Sequence, residues 1–352
     1  MRSLFSRLFF LATILTVVGG GFAGCSSSPT SSTDNRTAEK SNTAAQTQVV
    51  ATYSVLCDLA ERIAQSTAQI NCLIEAGVDP HVYQVTPDDR KAIDTAKLVL
   101  YGGYGFEPGI IKLIASAPES VQKIAVHEQA VAQPLQGGHD HDHAKEEGHD
   151  HDHDHDKAKK SANAASAEAD PHVWHNAQHG IAMVKVIQQQ LTQASPENKA
   201  VYAKNAQQII DRLTAIDTWI KTAIATIPAK QRKLVTTHEA LAYYGAAYGI
   251  PIEGALQGIS TDVKATPTRI KELVDDVKAS QVPTVFTEST ANLAMMQALA
   301  QDAQVKVSEK QLFSDGLGDA GSGAETYEKM LVANTKAIVE GLGGQPSPPP
   351  VP

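Results

Sequence analysis

The chain has 352 residues, 42% hydrophobic and 20% charged, which is ordinary for a soluble globular protein and long enough for two domains with cores of their own. Its net charge of −9 argues against a nucleic-acid partner, which would need a basic face, and suits a protein that attracts cations. Part of that charge lies in one local acidic tract.

In chain order, the first 24 residues read as a secretory leader. Arg2 and Arg7 precede a short apolar run, Leu8 to Val18, and small residues lead into Phe22-Ala23-Gly24-Cys25. The run falls short of the roughly 20 residues that span a bilayer. Cys25 after small residues is expected to carry a lipid anchor, with simple cleavage and release as the alternative. Residues 25–47, rich in Ser, Thr, Asn and Ala, read as a flexible tether. That leaves Cys57 and Cys72 in an oxidising compartment, either as two buried thiols or as a bridge contributing about 3 kcal/mol.

Order is expected from near Gln48. A strand over Val49–Tyr53, a helix over Leu56–Gln65 and a strand near Ile70–Ile74 come first. Thr86-Pro87-Asp88-Asp89 carries the signals of a helix start: a hydroxyl cap, proline in the first turn and acids facing the dipole. Strands follow over Ala96–Tyr101 and Val121–Val126. Residues 137–168, rich in His, Asp, Lys and Ala, cannot fill a core and read as a loop. A helix over Gly180–Gln190 precedes a second, longer one from Ser195-Pro196-Glu197. Its apolar positions Ile209, Leu213, Ile216, Ile220 and Ile224 share one face, and Pro228 ends it. About 30 residues at 1.5 Å each would bridge two lobes.

The second half repeats the alternation. Strands are expected at Leu234–Thr236, Pro251–Leu256, Thr284–Thr287 and Val305–Val307. Helices are expected at Glu239–Tyr248, Pro267–Lys278, Ala291–Ala300 and Tyr327–Glu340, before an unstructured tail at Pro346–Pro352. The fold class is α/β, with parallel sheets flanked by helices. The boundaries read 48–194 for an N-terminal lobe, 195–228 for a linking helix, 229–343 for a C-terminal lobe and 344–352 for the tail.

Several segments place a metal-capable side chain where a strand gives way to a helix, the end of an open α/β sheet at which ligands bind. His81 closes Gly77-Val78-Asp79-Pro80-His81, and Asp170-Pro171-His172 repeats the Asp-Pro-His triplet. His238 stands after Val235-Thr236-Thr237, Asp315 in Phe313-Ser314-Asp315-Gly316, and Glu288 in Phe286-Thr287-Glu288. A lone loop histidine is more often structural. Three at strand ends, two behind a conformation-fixing proline, point to a ligand set. His175 and His179 follow His172 closely and Glu239 adjoins His238, so these three are alternatives or supporting groups. Seven further histidines, His139, His141, His143, His149, His151, His153 and His155, alternate with aspartates in the 137–168 insertion. They read as an accessory zinc-scavenging or sensing arm, or as a solvated loop with incidental metal affinity.

These segments, in this order from about Val49 to Leu342, resemble the metal-specific solute-binding proteins of ABC transporters, the cluster A-I family. The resemblance implies two pseudo-symmetric α/β lobes joined by one long backbone helix, with a single ion in the cleft between them. It implies the ligands His81, His172, His238 and Asp315, with Glu288 as a substitute for Asp315 or a group that orients a ligand. It also implies delivery to a membrane permease with its ATPase, by a monomer held at the periplasmic face of the cytoplasmic membrane. Members of the manganese type have glutamate where this chain has His238, and imidazole suits Zn2+, with Mn2+ the alternative. The rival from another class is a zinc hydrolase. No His-Glu-x-x-His pair supports it, and four protein ligands would leave no place for a catalytic water.

Overall fold

The computed structural model describes residues 46–137, 168–290 and 293–350. The leader, Cys25, most of the tether and the seven insertion histidines lie outside the described residues.

The first half is a parallel sheet. β1 (Thr47–Tyr53), β2 (Ala68–Ile74), β3 (Leu98–Tyr101) and β4 (Gln122–Ala125) lie in the order β2-β1-β3-β4. Val49, Val50, Leu98, Val99 and Leu100 are all buried, as expected for strands covered on both faces. The crossover helices are α1 (Ser54–Ala64), α2 (Pro87–Thr95) and α3 (Pro108–Ala115), and the short α4 (Val126–Ala130) follows β4. The expected start of α2 takes the form of a capping box. Thr86 Oγ1 accepts from Asp89 N at 3.2 Å, and Asp89 Oδ2 accepts from Thr86 N at 2.7 Å. Cys57 and Cys72 are disulfide-bonded, with Cα atoms 5.6 Å apart, tying α1 to β2.

α5 (Ala177–Ala194) leads through a 3₁₀ turn, Pro196–Asn198, into α6 (Lys199–Ala225), a 27-residue helix about 40 Å long. Ile209, Leu213, Ile216, Ile220 and Ile224 are all buried on it, against α1, α5, α7 and α10.

The second half has β5 (Leu234–Thr236), α7 (Ala242–Tyr248), β6 (Ile252–Ala255), α8 (Pro267–Ser280), β7 (Thr284–Val285), α9 (Leu293–Ala303), β8 (Lys306–Val307) and α10 (Tyr327–Gly341). The pairs β5-β6 and β7-β8 are parallel, and Phe286 N donates to Val235 O at 2.9 Å between them. The resulting order β6-β5-β7-β8 repeats β2-β1-β3-β4, so the two lobes are pseudo-symmetric. A small core of Val235, Leu256, Leu273, Val277, Val285 and Leu299 lies under α8 and α9. A larger core runs from the first sheet through α6 to α10. Arg62 of α1 pairs with Asp58 and Glu328, and Arg212 of α6 donates to Glu328 at the start of α10, fastening the three helices together.

Three expectations shift. α7 begins at Ala242 rather than Glu239, because Thr237 N and His238 N both donate to Glu288 Oε1 and bend the chain away from a helical path. α3 and α4 lie where no helix was expected. Among its described residues the tail has no regular structure, but Gln345 N donates to Thr226 Oγ1 and Trp219 Nε1 to Ser347 O, which pins it to the end of α6.

Candidate metal centre

Each lobe brings two loops to one point. β2 ends at Ile74, and the turn that follows carries His81 in a short 3₁₀ segment, Pro80–Val82. His172 precedes the 3₁₀ turn Val173–His175 that opens toward α5. His238 follows β5. Asp315 follows an extended stretch in which Leu312 bridges Glu288 and Leu312 N donates to Thr287 O. Sites that are 91, 66 and 77 positions apart along the chain thus converge: the ligand-capable atoms of His81, His172, His238 and Asp315 all lie within 4.8 Å of one another.

The approach is through Nε2 in every ring. Asp315 Oδ1 is 3.1 Å from His238 Nε2, 3.4 Å from His172 Nε2 and 3.6 Å from His81 Nε2. His81 Nε2 and His172 Nε2 are 3.3 Å apart. All four groups are buried, and neither His238 Nε2 nor Asp315 Oδ1 has a hydrogen-bond partner. Buried polar atoms are rarely left unpaired, so these two mark a place built for a further group. A divalent cation fits that place: neutral imidazole nitrogens and a carboxylate oxygen are its donors, and each points inward.

The outer sides of the cluster are occupied. His172 Nδ1 donates to Asp170 Oδ1 at 2.8 Å, and His238 Nδ1 donates to Glu288 Oε2. Ser314 Oγ also donates to Glu288 Oε2, at 3.0 Å. Thr290 Oγ1 and Ser314 Oγ lie 2.9 and 3.2 Å from Asp315 Oδ2, so only Oδ1 faces the centre. Phe106 sets its ring edge-on to His81 at 5.1 Å, and Trp174 lies 5.3 Å from His172. These rings pack against the cluster from the first-lobe side.

The charges follow from this packing. Burial opposes a charged His238, but the Asp315 and Glu288 carboxylates outweigh it and hold the imidazole well above its usual value. His172 is raised in the same way, burial being overcome by the neighbouring Asp170 and Asp315 carboxylates. Asp315, although burial would raise it, is held well below the carboxylate range by His238 and His172. The neighbouring acids thus favour the protonated forms of His238 and His172.

The other candidates stand apart. Glu288 grips His238 from behind instead of replacing Asp315. His175 turns away and donates from Nε2 to Ser314 O at 2.8 Å; burial pushes it down to about 3, so it is a neutral support for the Asp315 loop. His179 is half-buried with its ring edge-on to Tyr243 at 5.2 Å. Glu239 is half-buried, and its backbone N donates to Gly258 O. Sequence reasoning missed Asp170, Ser314 and Thr290. Only Asp170 carries a signal, as the acid of the repeated Asp-Pro-His triplet. His127 also went unconsidered; it is buried with Nε2 2.7 Å from Tyr53 Oη, outside the cluster.

Residues 49–341 match the family described as zinc-uptake complex component A, periplasmic. The metal ABC transporter substrate-binding lipoprotein SsaB of Streptococcus sanguinis is 29% identical over 342 residues, 96% of this chain and 99% of its own length. The manganese-binding lipoprotein MntA of Bacillus subtilis is 33% identical over 84% of this chain and 90% of its own. Among solved structures, the periplasmic zinc-binding protein TroA of Treponema pallidum superposes with a TM-score of 0.72 at 29% identity. That match covers 84% of this chain and 99% of TroA.

Proposed function

The chain belongs to the zinc-uptake complex component A family of periplasmic proteins, and from that membership we propose that it is the substrate-binding lipoprotein of an ABC-type metal uptake transporter, with zinc as its substrate. Its relatives carry the transporter role in their names, and the buried four-residue cluster is the place where an ion would ride.

The observation that carries zinc is the posture of Asp315. With Oδ2 held by the Thr290 hydroxyl, the carboxylate offers one oxygen, and three Nε2 atoms complete a set of four. Four donors, three of them imidazole, suit tetrahedral zinc; manganese favours six ligands, mostly oxygen. The second reading is a manganese receptor, favoured by the names of several relatives. A hydrolase is disfavoured, because four side chains leave no open position for a reacting water.

The remainder of the proposal concerns the chain outside the described residues. The leader, 1–24, directs export, an acyl chain on Cys25 anchors the protein, and the tether to residue 47 lets it reach a permease with its ATPase. No helix among the described residues is long and apolar enough to cross a membrane. The seven insertion histidines act as an accessory arm that gathers or senses zinc. The receptor works as a monomer.

Competitive titration of the protein with zinc and manganese tests this reading. One tight zinc site that manganese does not displace is expected, and His238→Glu should weaken zinc and favour manganese. A wild-type preference for manganese would instead support the second reading.

A further inference from the structure

The two Asp-Pro-His triplets are used differently. In both, the aspartate Oδ1 accepts from the backbone N of its histidine, at 2.9 Å. Asp170 Oδ1 also takes its own histidine's Nδ1, which braces the His172 ring. Asp79 does not brace His81 in this way. Its second oxygen, Oδ2, reaches across the cleft and accepts from Thr261 Oγ1 at 2.6 Å.

Thr261 belongs to the loop between β6 and α8 in the other lobe. That loop is held by Gln257, whose Nε2 donates to the carbonyls of Thr261 and Val263. Gln257 N donates in turn to Thr237 O, the residue before His238. A continuous chain of hydrogen bonds therefore runs from the His81 turn to the His238 turn and closes on the side of the cleft where His81 sits. His81 is 6% exposed, whereas His172, His238 and Asp315 are 0, 0 and 1% exposed, so His81 is the least covered of the four.

We propose that Thr261 is a positioning residue for metal retention: its hydroxyl holds Asp79 across the cleft and thereby keeps His81 on the ion, making His81 the ligand that leaves first when metal is released. The inference rests on the metal-receptor reading above and adds to it an exit side and a control point. The bond has a charged acceptor, the stronger kind of hydrogen bond, and Thr261 lies outside the ligand set, so its loss should change how long the ion stays without changing what holds it.

The test uses full-length protein loaded with zinc, with release followed by capture in excess chelator, and a parallel sample loaded with cobalt for its absorption spectrum. Thr261→Val is expected to speed release about tenfold while leaving the cobalt spectrum four-coordinate, and Thr261→Ser is expected to restore wild-type release. His81→Ala serves as the control for the site itself. If wild type binds tightly, His81→Ala binds weakly and Thr261→Val releases at the wild-type rate, the latch is overturned while the receptor reading stands. If Thr261→Val and Thr261→Ser are equally fast, the hydroxyl is not the cause, and the proposal also fails. Absence of tight binding in wild type would overturn the receptor reading, and the latch with it.

Discussion

Asp170 and Glu288 accept from the Nδ1 atoms of His172 and His238, so each ring, once neutral, is held as the tautomer that keeps Nε2 free for a cation. Replacing Glu288 by Gln keeps the shape but loses the charge and lets the His238 ring turn. Zinc affinity is expected to fall about 10- to 100-fold, with little change in the melting of the metal-free protein. A competition assay against a chelator measures this, and an unchanged affinity would mean that Glu288 only fills space. The raised titration of His238 and His172 sets a pH dependence. Both rings carry protons in the metal-free site below their raised values, and an ion has to displace them. Affinity should therefore climb with pH through neutrality and level off only above those values, with about one proton or more released per ion at pH 7. Calorimetry in buffers of different ionisation heat reads that number; release of none would contradict the charge pattern described.

At the scale of elements, α6 supplies the support on which both lobes rest, and its buried stripe is where stability is most exposed to mutation. Leu213→Ala removes a fully buried side chain and should cost about 2–5 kcal/mol in urea unfolding. Breaking the link between α1 and β2 with Cys57→Ser and Cys72→Ser should cost about 3 kcal/mol and leave zinc affinity unchanged, since neither sulfur belongs to the cluster. Much of this was legible in the chain. The 3.6-residue spacing of Ile209, Leu213, Ile216 and Ile220 announces α6, and Thr86-Pro87-Asp88-Asp89 announces α2. His81, His172 and His238 are visible because each stands just beyond an apolar strand or behind a proline. What was not legible depends on partners far away in sequence. Nothing local to Glu239 reveals that Glu288 will bend the chain and delay α7 to Ala242. Nothing local to Thr261 reveals Asp79, 182 positions earlier. The sequence favours Asp315 as the fourth ligand but leaves Glu288 as a substitute, and only their packing, one behind His238 and one beside it, separates them.

For the whole molecule, the repeated strand order shows why the site lies where it does. Each sheet offers the carboxyl ends of its strands, and the loops from the two halves meet there. If that meeting point is the functional site, the His-rich insertion is dispensable for tight binding. Deleting residues 139–156 should leave one high-affinity zinc site and remove only weaker ions from the stoichiometry, which titration followed by mass spectrometry would count. X-ray absorption at the zinc edge, on this loop-deleted protein loaded with one equivalent, tests the central claim most directly. Three imidazole nitrogens and one carboxylate oxygen at about 2.0–2.1 Å are predicted. A shell of five or six light atoms, or one with fewer than three imidazoles, would contradict it.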